Sequence, residues 1–364
     1  MATTYLVLTN NVLNELNEPE LTSTTFSSSR GIQTSVKKFV LKAMHEVYNS
    51  LSEVPDLYLS TTQDTYTGQR TYDLPSSASP QSTDKAYRKI DWDTFRLVPK
   101  ELVTNGEFTS NITGWTTGDG TPAYTSSGNG RLNLNDAAAY QSISTVKNKT
   151  YRLQVRVMSP SSSTSTVAIK VGTTASGGEY LSTTKSVTNI GDGATLDTTF
   201  DATAQTSYIF FETASGVQLD IDYVRISENM PIKKLKYISY DDWNIKYLER
   251  DLTNNSSSQG CPDMVYHTQD KKFGLSPVPN QDTYTIQYEY WQIHTDLSAH
   301  GDTMDLDDRF KDVIITKAKY YAYVLRSDPQ AAAMSVKEYD NQLQQLRSEY
   351  INTKTYMRDT RING

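Results

Sequence analysis

Four histidines, one cysteine and two pairs of adjacent aspartates are the residues with side chains suited to catalysis or metal binding. The histidines are scattered along the chain, and none has a nucleophile at a spacing typical of a catalytic site; they are His45, His267, His294 and His300. The single cysteine, Cys261, cannot form an internal disulfide and precedes a proline in a loop-like segment. These residues predict a structural protein and no enzyme.

The aspartate pairs Asp241-Asp242 and Asp307-Asp308 leave one enzymatic alternative open. Two carboxylates can act together as the acid and the base or nucleophile of a glycoside hydrolase. Each pair also precedes a helical pattern, where acidic side chains interact favourably with the helix dipole. We interpret both pairs as helix starts, and a polysaccharide-degrading enzyme remains the alternative.

The composition indicates a globular chain without a membrane span. The chain has 364 residues, of which 37% are apolar, and a net charge of -7. No window approaches the roughly 18 consecutive apolar residues that a membrane helix needs. The N-terminal residues lack a basic region and a cleavage site, so we expect a helix there and not a signal peptide. The negative charge argues against a protein that coats nucleic acid, but it allows one that encloses DNA.

Both ends of the chain show helical periodicity. Apolar residues recur at spacings of three and four between Val36 and Tyr48. Towards the C-terminus two further stripes predict two helices. The first consists of Phe310, Val313, Ile314, Tyr321, Val324 and Leu325. The second consists of Val336, Tyr339, Leu343, Leu346 and Tyr350.

The middle of the chain changes abruptly to Ser/Thr-rich sequence with short alternating runs. These include "GRLNLN", "AYQSISTV", "TYRLQVRVMS", "STVAIKVGT", "SYIFFETA" and "VQLDIDYVRIS". Short alternating strands separated by turn residues predict a β-sandwich. We therefore expect an α+β protein, in which a discontinuous domain of helical bundle and antiparallel sheet, residues 1–101 and 229–364, contains an inserted sandwich, residues 102–228.

The outer domain resembles the head-to-tail adaptors of tailed phages, in particular tail tubular protein A. The resemblance lies in "LTNNVLNELNE", "KKLKYISYDDWNIKY" and the run from "YTIQYEYW" to "AKYYAYVLR". It implies a structural virion protein at the head–tail junction, assembled in the host cytoplasm, that forms a ring, commonly of twelve copies. The implied partners are the portal protein, a tail nozzle or tail tube protein, and DNA that passes through the channel without specific contacts. We expect the polar C-terminal tail, with Arg358 and Arg361, to contact the portal.

The inserted domain resembles carbohydrate-binding modules of the β-jelly-roll type. It opens with "LVTNGEF" and a Gly-Trp pair and closes with "LDIDYVRIS". In that family an acidic residue of the opening run and an aspartate of the last strand often flank a structural calcium ion, and Glu107 and Asp222 match those positions. The resemblance therefore implies a structural Ca²⁺ site; a hydrogen-bonded pair that joins the first strand to the last is the alternative. No other cofactor is expected.

Such modules stack aromatic rings on sugars, and four aromatic residues are candidates for this contact: Trp115, Tyr124, Tyr140 and Tyr180. The Trp of the family's opening run packs inward, so we expect Trp115 in the core. Tyr124 and Tyr140 lie in turn-rich surroundings and are the predicted glycan-binding residues. The resemblance implies an outward-facing domain that meets host surface glycans. A host extracellular lectin is a weaker interpretation, because the sequence lacks a signal peptide and disulfides.

Overall fold

The computed structural model describes residues 3–51, 53–76, 86–160 and 164–353. The chain divides into two compact units. The first comprises Met1–Thr61, Leu74–Asp91 and Glu289–Gly364, and the second comprises Thr62–Asp73 and Trp92–Tyr288. The domain limits expected from composition are 1–101, 102–228 and 229–364. They mark changes in the sequence and not compact units of the structure, so they stay a prediction.

The described residues form six α-helices and two short 3-10 helices. The α-helices are α1 (Tyr5–Glu15), α2 (Ile32–Ser50), α3 (Tyr240–Lys246), α4 (Leu248–Thr253), α5 (Lys311–Leu325) and α6 (Pro329–Thr353). The 3-10 helices span Pro55–Leu57 and Asp308–Phe310. Among the helices of these described segments, none combines the length and apolarity that crossing a membrane requires.

The first unit has one hydrophobic core, built by the longest helices. The apolar faces of α1, α2, α5 and α6 meet in it, as their periodicity predicts. Its fully buried members include Leu8, Val12, Val40, Val47 and Ile314. The prediction of an apolar stripe on α5 is wrong for its last two residues, because Val324 and Leu325 are each 53% exposed. These two residues occupy the last turn of α5, beyond the buried part of the helix.

Eighteen strands are present in the described residues. Three precede the Ser/Thr-rich region: β1 (Tyr58–Asp64), β2 (Thr71–Asp73) and β3 (Tyr87–Pro99). Ten lie within it: β4 (Thr116–Asp119), β5 (Ala123–Thr125), β6 (Arg131–Asn135), β7 (Ala138–Ser144), β8 (Lys149–Met158), β9 (Ser165–Gly172), β10 (Leu181–Val187), β11 (Gly193–Ala202), β12 (Thr206–Thr213) and β13 (Gln218–Glu228). Five follow: β14 (Lys233–Lys234), β15 (Lys236–Tyr237), β16 (Met264–His267), β17 (Lys272–Ser276) and β18 (Tyr284–Gln292).

These strands form four sheets in which nearly all neighbours are antiparallel. Two four-stranded sheets have the orders β1-β18-β3-β14 and β15-β16-β17-β2, and β15-β16 is a parallel pair. Strand β14 pairs with β3, so the chain leaves for the Ser/Thr-rich region and returns from it on neighbouring strands. Closely spaced chain ends are the condition under which a whole domain can be inserted into a loop.

The Ser/Thr-rich region forms the predicted β-sandwich, from two five-stranded sheets. Their orders are β10-β9-β12-β7-β4 and β11-β8-β13-β6-β5. Alternate side chains of the inner strands point into a shared core, as on β8, where Tyr151, Leu153, Val155 and Val157 are fully buried. Trp115 also belongs to this core, with its ring centroid 5.6 Å from that of Phe211, which confirms the prediction that it packs inward.

Candidate functional site

A cleft of about 410 Å³ opens on the sandwich at the β5-β6-β13 edge of one sheet. Its volume lies within the range of small-ligand sites. The lining combines one aromatic ring and an aliphatic side chain with several polar groups; it includes Tyr124, Ser127, Arg131, Asn133, Ile190, Gln218 and Asp220. A saccharide needs this combination, because its ring faces are apolar and its hydroxyls require hydrogen-bond partners.

The polar groups of the cleft are held in place by one another. Asp220 is only 3% exposed, and its carboxylate accepts a 2.6 Å hydrogen bond from Asn133 Nδ2. Arg131 lies 3.7 Å from the same carboxylate and donates from Nε to Asp222 at 3.2 Å. Because a buried carboxylate is costly unless it is paired, this network fixes the side chains that a ligand would meet.

The predicted glycan-binding residue Tyr124 lies on β5 and lines this cleft. Its side chain is 36% exposed, and its hydroxyl donates to the Thr109 carbonyl at 3.4 Å. The backbone at Gly130 (φ +108°) passes close to the Tyr124 ring, and a Cβ there would lie 3.0 Å from Cε2. The same Cβ would lie only 2.1 Å from the Phe108 carbonyl oxygen, so this position beside the ring requires glycine.

The second predicted glycan-binding residue, Tyr140, lies on the other sheet. Strand β7 pairs with β12, and their outward residues place Tyr140 beside Phe210 and near Tyr208. The Tyr140 and Tyr208 ring centroids are 6.3 Å apart, and Lys170 lies 5.2 Å above the Phe210 ring. These three rings form an aromatic strip, so Tyr124 and Tyr140 belong to different surfaces. Sequence reasoning missed Tyr208 and Phe210, although their spacing of two in "SYIFFETA" places them on one face of a strand.

The remaining aromatic candidate, Tyr180, packs against the sandwich. Its ring lies parallel to that of Phe200 at 6.2 Å, and its hydroxyl is 3.1 Å from the Thr203 hydroxyl. It is partly buried against the sandwich core. These contacts account for the ring without a ligand.

The two carboxylates of the expected calcium site each contact an arginine. Glu107 Oε1 accepts from Arg225 Nε at 2.8 Å, and Asp222 lies 3.2 Å from Arg131 and 3.7 Å from Arg156. Calcium takes six to eight oxygen ligands. An ion shared by these carboxylates would have to replace their arginine partners, so the present side-chain arrangement does not fit calcium. The site stays a prediction.

Both aspartate pairs lie at helix starts. Ser239 caps α3 by accepting from the Asp242 N–H, and Lys246 donates to the Asp242 carboxylate at 2.9 Å and lowers its pKa. Asp307 caps the second 3-10 helix, and the Arg309 N–H lowers the pKa of its carboxyl. A glycosidase acid requires the opposite shift, a raised pKa. The helix-start interpretation accounts for both pairs.

Two family models match parts of the chain. Residues 180–362, half of the sequence, match the family model of the SU10 adaptor protein. The chain belongs to the SU10 adaptor family. Residues 100–217 of this phage adaptor also match the model of a carbohydrate-binding domain, and the two matched ranges overlap at 180–217. Neither matched domain is a catalytic one. No curated protein matches the chain.

Solved structures similar to the adaptor chain match about a third of it. A CBM4 module is 15% identical, with 35% of this chain and 99% of the module covered and a TM-score of 0.29. A CBM22 xylan-binding domain from Paenibacillus barcinonensis is 14% identical, with 37% and 99% covered and a TM-score of 0.31. A tailspike protein of bacteriophage CBA120 is 18% identical, with 35% and 21% covered and a TM-score of 0.27. The adaptor thus spans about a fifth of that tailspike chain.

The residues expected to contact the portal, Arg358 and Arg361, lie outside the described residues. The expected portal contact therefore rests on the sequence: a polar, arginine-bearing segment that follows the last apolar stripe.

Proposed function

We propose that this adaptor forms the ring, expected to have twelve copies, that joins the portal to the tail nozzle or tail tube. The proposed subtype is that of tail tubular protein A. The ring would be assembled in the host cytoplasm. The observation that carries the proposal is the adaptor family match, which includes β16–β18, α5 and α6. The net charge of -7 suits a channel through which DNA passes, because tight DNA binding needs lysine and arginine at the phosphates.

The ring contact is proposed at the turn between α5 and α6. Val324 and Leu325 are each 53% exposed there, and Met334 on the next helix is 71% exposed. Exposed apolar side chains on both helices suit burial against an identical subunit, and such contacts close a ring when each subunit is rotated by a fixed fraction of a full turn.

Replacing Val324 and Leu325 together with glutamate tests this contact. The variant should keep its helical circular dichroism but lose the oligomer that light scattering and electron microscopy detect. Ile245→Glu is the control, since Ile245 is also apolar and 80% exposed but lies on α3. If the double variant still formed rings of unchanged copy number, the subunit contact would not lie at this turn.

The C-terminal segment is proposed to attach the ring to the portal. A chain truncated at Thr353 should fold and form rings, yet bind the purified portal more weakly. Reversing the charge at Arg358 and Arg361 should reproduce the loss if those side chains carry the contact. Normal, DNA-filled and tailed particles from the truncated gene would contradict this role.

The sandwich is proposed to bind a host-surface glycan in the Tyr124 cleft. Two observations favour the cleft over the aromatic strip: it is concave, and its polar groups converge on one volume. On the strip, Lys170 pairs with Glu212 at 3.2 Å, and Phe210 is only 6% exposed. The cleft therefore offers more hydrogen-bonding groups together with an accessible ring.

A glycan array with the whole adaptor, followed by titration of any bound glycan, tests the cleft. Tyr124→Ala should weaken binding at least tenfold, while Tyr140→Ala serves as the matched control and should leave it unchanged. The reverse result would move the site to the aromatic strip. No binding to any glycan by the folded protein would reject the glycan function.

The sandwich is also proposed to project outward from the ring. A domain of this length is roughly 30 Å across. Copies of that size would block a DNA-wide channel, and between subunits they would separate the contacts that close the ring. Antibodies against the sandwich should therefore bind intact virions. A sandwich that is shielded on virions but accessible on free subunits would face a virion partner instead.

The alternative function, polysaccharide degradation, predicts new reducing ends when the protein is incubated with capsular polysaccharide. Binding without release of reducing ends would leave the adaptor with a non-catalytic glycan-binding domain.

The calcium site is tested separately. A calcium ion shared by Glu107 and Asp222 predicts that a calcium-selective chelator lowers the melting temperature, and that Asp222→Ala removes this sensitivity. An unchanged melting curve would leave the arginine pairs as the whole role of both carboxylates.

A further inference from the structure

Two histidines far apart in the sequence meet at one point of the first unit. His45, on α2, places Nε2 2.7 Å from Asp296 Oδ1, and His294 Nε2 lies 3.7 Å from the same oxygen. The two imidazole rings are 4.9 Å apart, edge to face. One nitrogen from each histidine and one carboxylate oxygen lie within 4.8 Å of one another, the arrangement of a three-ligand metal site.

His294 is the unusual member of the group. Only 8% of its side chain is exposed, and neither ring nitrogen has a hydrogen-bond partner among the residues that the structure describes. A buried imidazole without a partner is costly, and such groups call for an explanation such as an absent ion. Burial, and then the neighbouring His45, lower the pKa of His294 and favour its neutral form.

We propose that His45, His294 and Asp296 bind a zinc-type divalent transition-metal ion. Two imidazoles and a carboxylate suit zinc, nickel or copper, whereas calcium and magnesium prefer all-oxygen sites. With zinc–ligand bonds of about 2.0–2.1 Å, tetrahedral ligand atoms are about 3.3 Å apart. The two distances to Asp296 Oδ1, 2.7 and 3.7 Å, bracket that value. Asp296 is 69% exposed and can rotate to equalise them.

Charged groups of both signs act on His294. Asp305 and Asp296 both favour positive charge at His294, whereas Arg88 opposes it. Arg88 is itself held by the Tyr48 and Leu51 carbonyls, each at 3.0 Å. The Tyr48 ring packs against His294 with centroids 4.4 Å apart and limits the rotation of the imidazole. A divalent ion would therefore meet two carboxylates and one fixed guanidinium.

The consequence of metal binding would be structural. His45 lies on α2, whereas His294 and Asp296 lie in the segment that follows β18. One ion would join a helix of the N-terminal region to a segment about 250 residues later, and water would complete its coordination. Because the ion binds only the folded chain, it would raise the melting temperature.

Isothermal titration of the untagged, metal-free adaptor with ZnCl₂ tests the site. We expect one zinc ion per chain and a higher melting temperature with zinc, and this thermal shift should persist in the presence of excess CaCl₂. His45→Ala and Asp296→Ala, both at partly exposed positions, should each weaken zinc binding at least tenfold and remove the thermal shift. His294→Ala is less informative alone, because a buried side chain is lost.

Two control variants separate this site from other zinc ligands of the chain. His300→Ala removes an exposed histidine, and Cys261→Ser removes the exposed thiol. Both should bind zinc as the unchanged protein does. The proposal is overturned if the folded protein binds no stoichiometric zinc, or if His45→Ala and Asp296→Ala bind it with unchanged affinity.

Discussion

The helical core and the sandwich core are assembled from the sequence in opposite ways. Among the described residues, the members of the helical core lie within 5–57 and 297–346, so its two halves come from opposite ends of the chain. The core of the sandwich takes all its residues from the continuous stretch between Val103 and Ile226. A domain inserted in one piece can keep its own core, whereas the host domain has to close its core around the insertion.

The difference predicts that the sandwich is dispensable for the helical core. Replacing residues 102–228 with a short Gly/Ser linker should abolish glycan binding completely while leaving the helical circular dichroism and the ring intact. Strands β3 and β14 are neighbours, so a short linker can span the gap. Loss of the soluble fold in this deletion would show that the outer domain needs the sandwich.

Substitutions in the two cores test whether the cores unfold independently. Ile314→Ala in the helical core and Leu153→Ala in the sandwich both remove a fully buried side chain, and each should cost about 2–5 kcal/mol. Far-UV circular dichroism at 222 nm should record the first loss. The fluorescence of Trp115, inside the sandwich, should record the second once the other three tryptophans are replaced by phenylalanine. If each variant shifted both signals equally, the two cores would unfold as one.

Glu228, at the end of the sandwich, joins it to a segment that follows it in the sequence. Glu228, only 6% exposed at the end of β13, accepts hydrogen bonds from Lys149 at 2.9 Å, Gln281 at 2.6 Å and Thr283 at 2.8 Å. Glu228→Ala removes the acceptor that these three donors share and should cost about 1–3 kcal/mol. The control Glu212→Ala breaks the more exposed pair with Lys170 and should cost less than about 1 kcal/mol in chemical denaturation.

The smallest expected effect is the pH dependence of an exposed ion pair, Arg152–Asp197, which joins β8 and β11. The hydrogen bond from Arg152 lowers the pKa of Asp197 to about 2. A lowered folded-state pKa stabilises the fold above the ordinary carboxyl pKa, and this contribution is lost as the pH falls towards 2. Asp197→Asn should therefore lower the melting temperature slightly at neutral pH and not at pH 2. An NMR titration that places the Asp197 midpoint near 4 would contradict the pairing.

The strands show which parts of the sandwich the local sequence pattern can predict. The six alternating runs of the Ser/Thr-rich region correspond to β6, β7, β8, β9, β12 and β13, which are the six inner strands of the sandwich. The four strands without such a run, β4, β5, β10 and β11, are the four edges. An inner strand buries one face between neighbours and needs alternating apolar residues, whereas an edge strand can be polar because solvent reaches it.

The sequence by itself determined the helices near both ends of the chain, the β-sandwich of the Ser/Thr-rich region and the buried position of Trp115, because each depends on periodicity or on a local run. Only the tertiary structure decided which distant side chains meet. It placed Tyr124 and Tyr140 on different sheets, gave Glu107 and Asp222 arginine partners, and brought His45 within 2.7 Å of Asp296, 251 residues later. Such contacts depend on sheet order and helix packing, which many sequences with the same local pattern could satisfy differently.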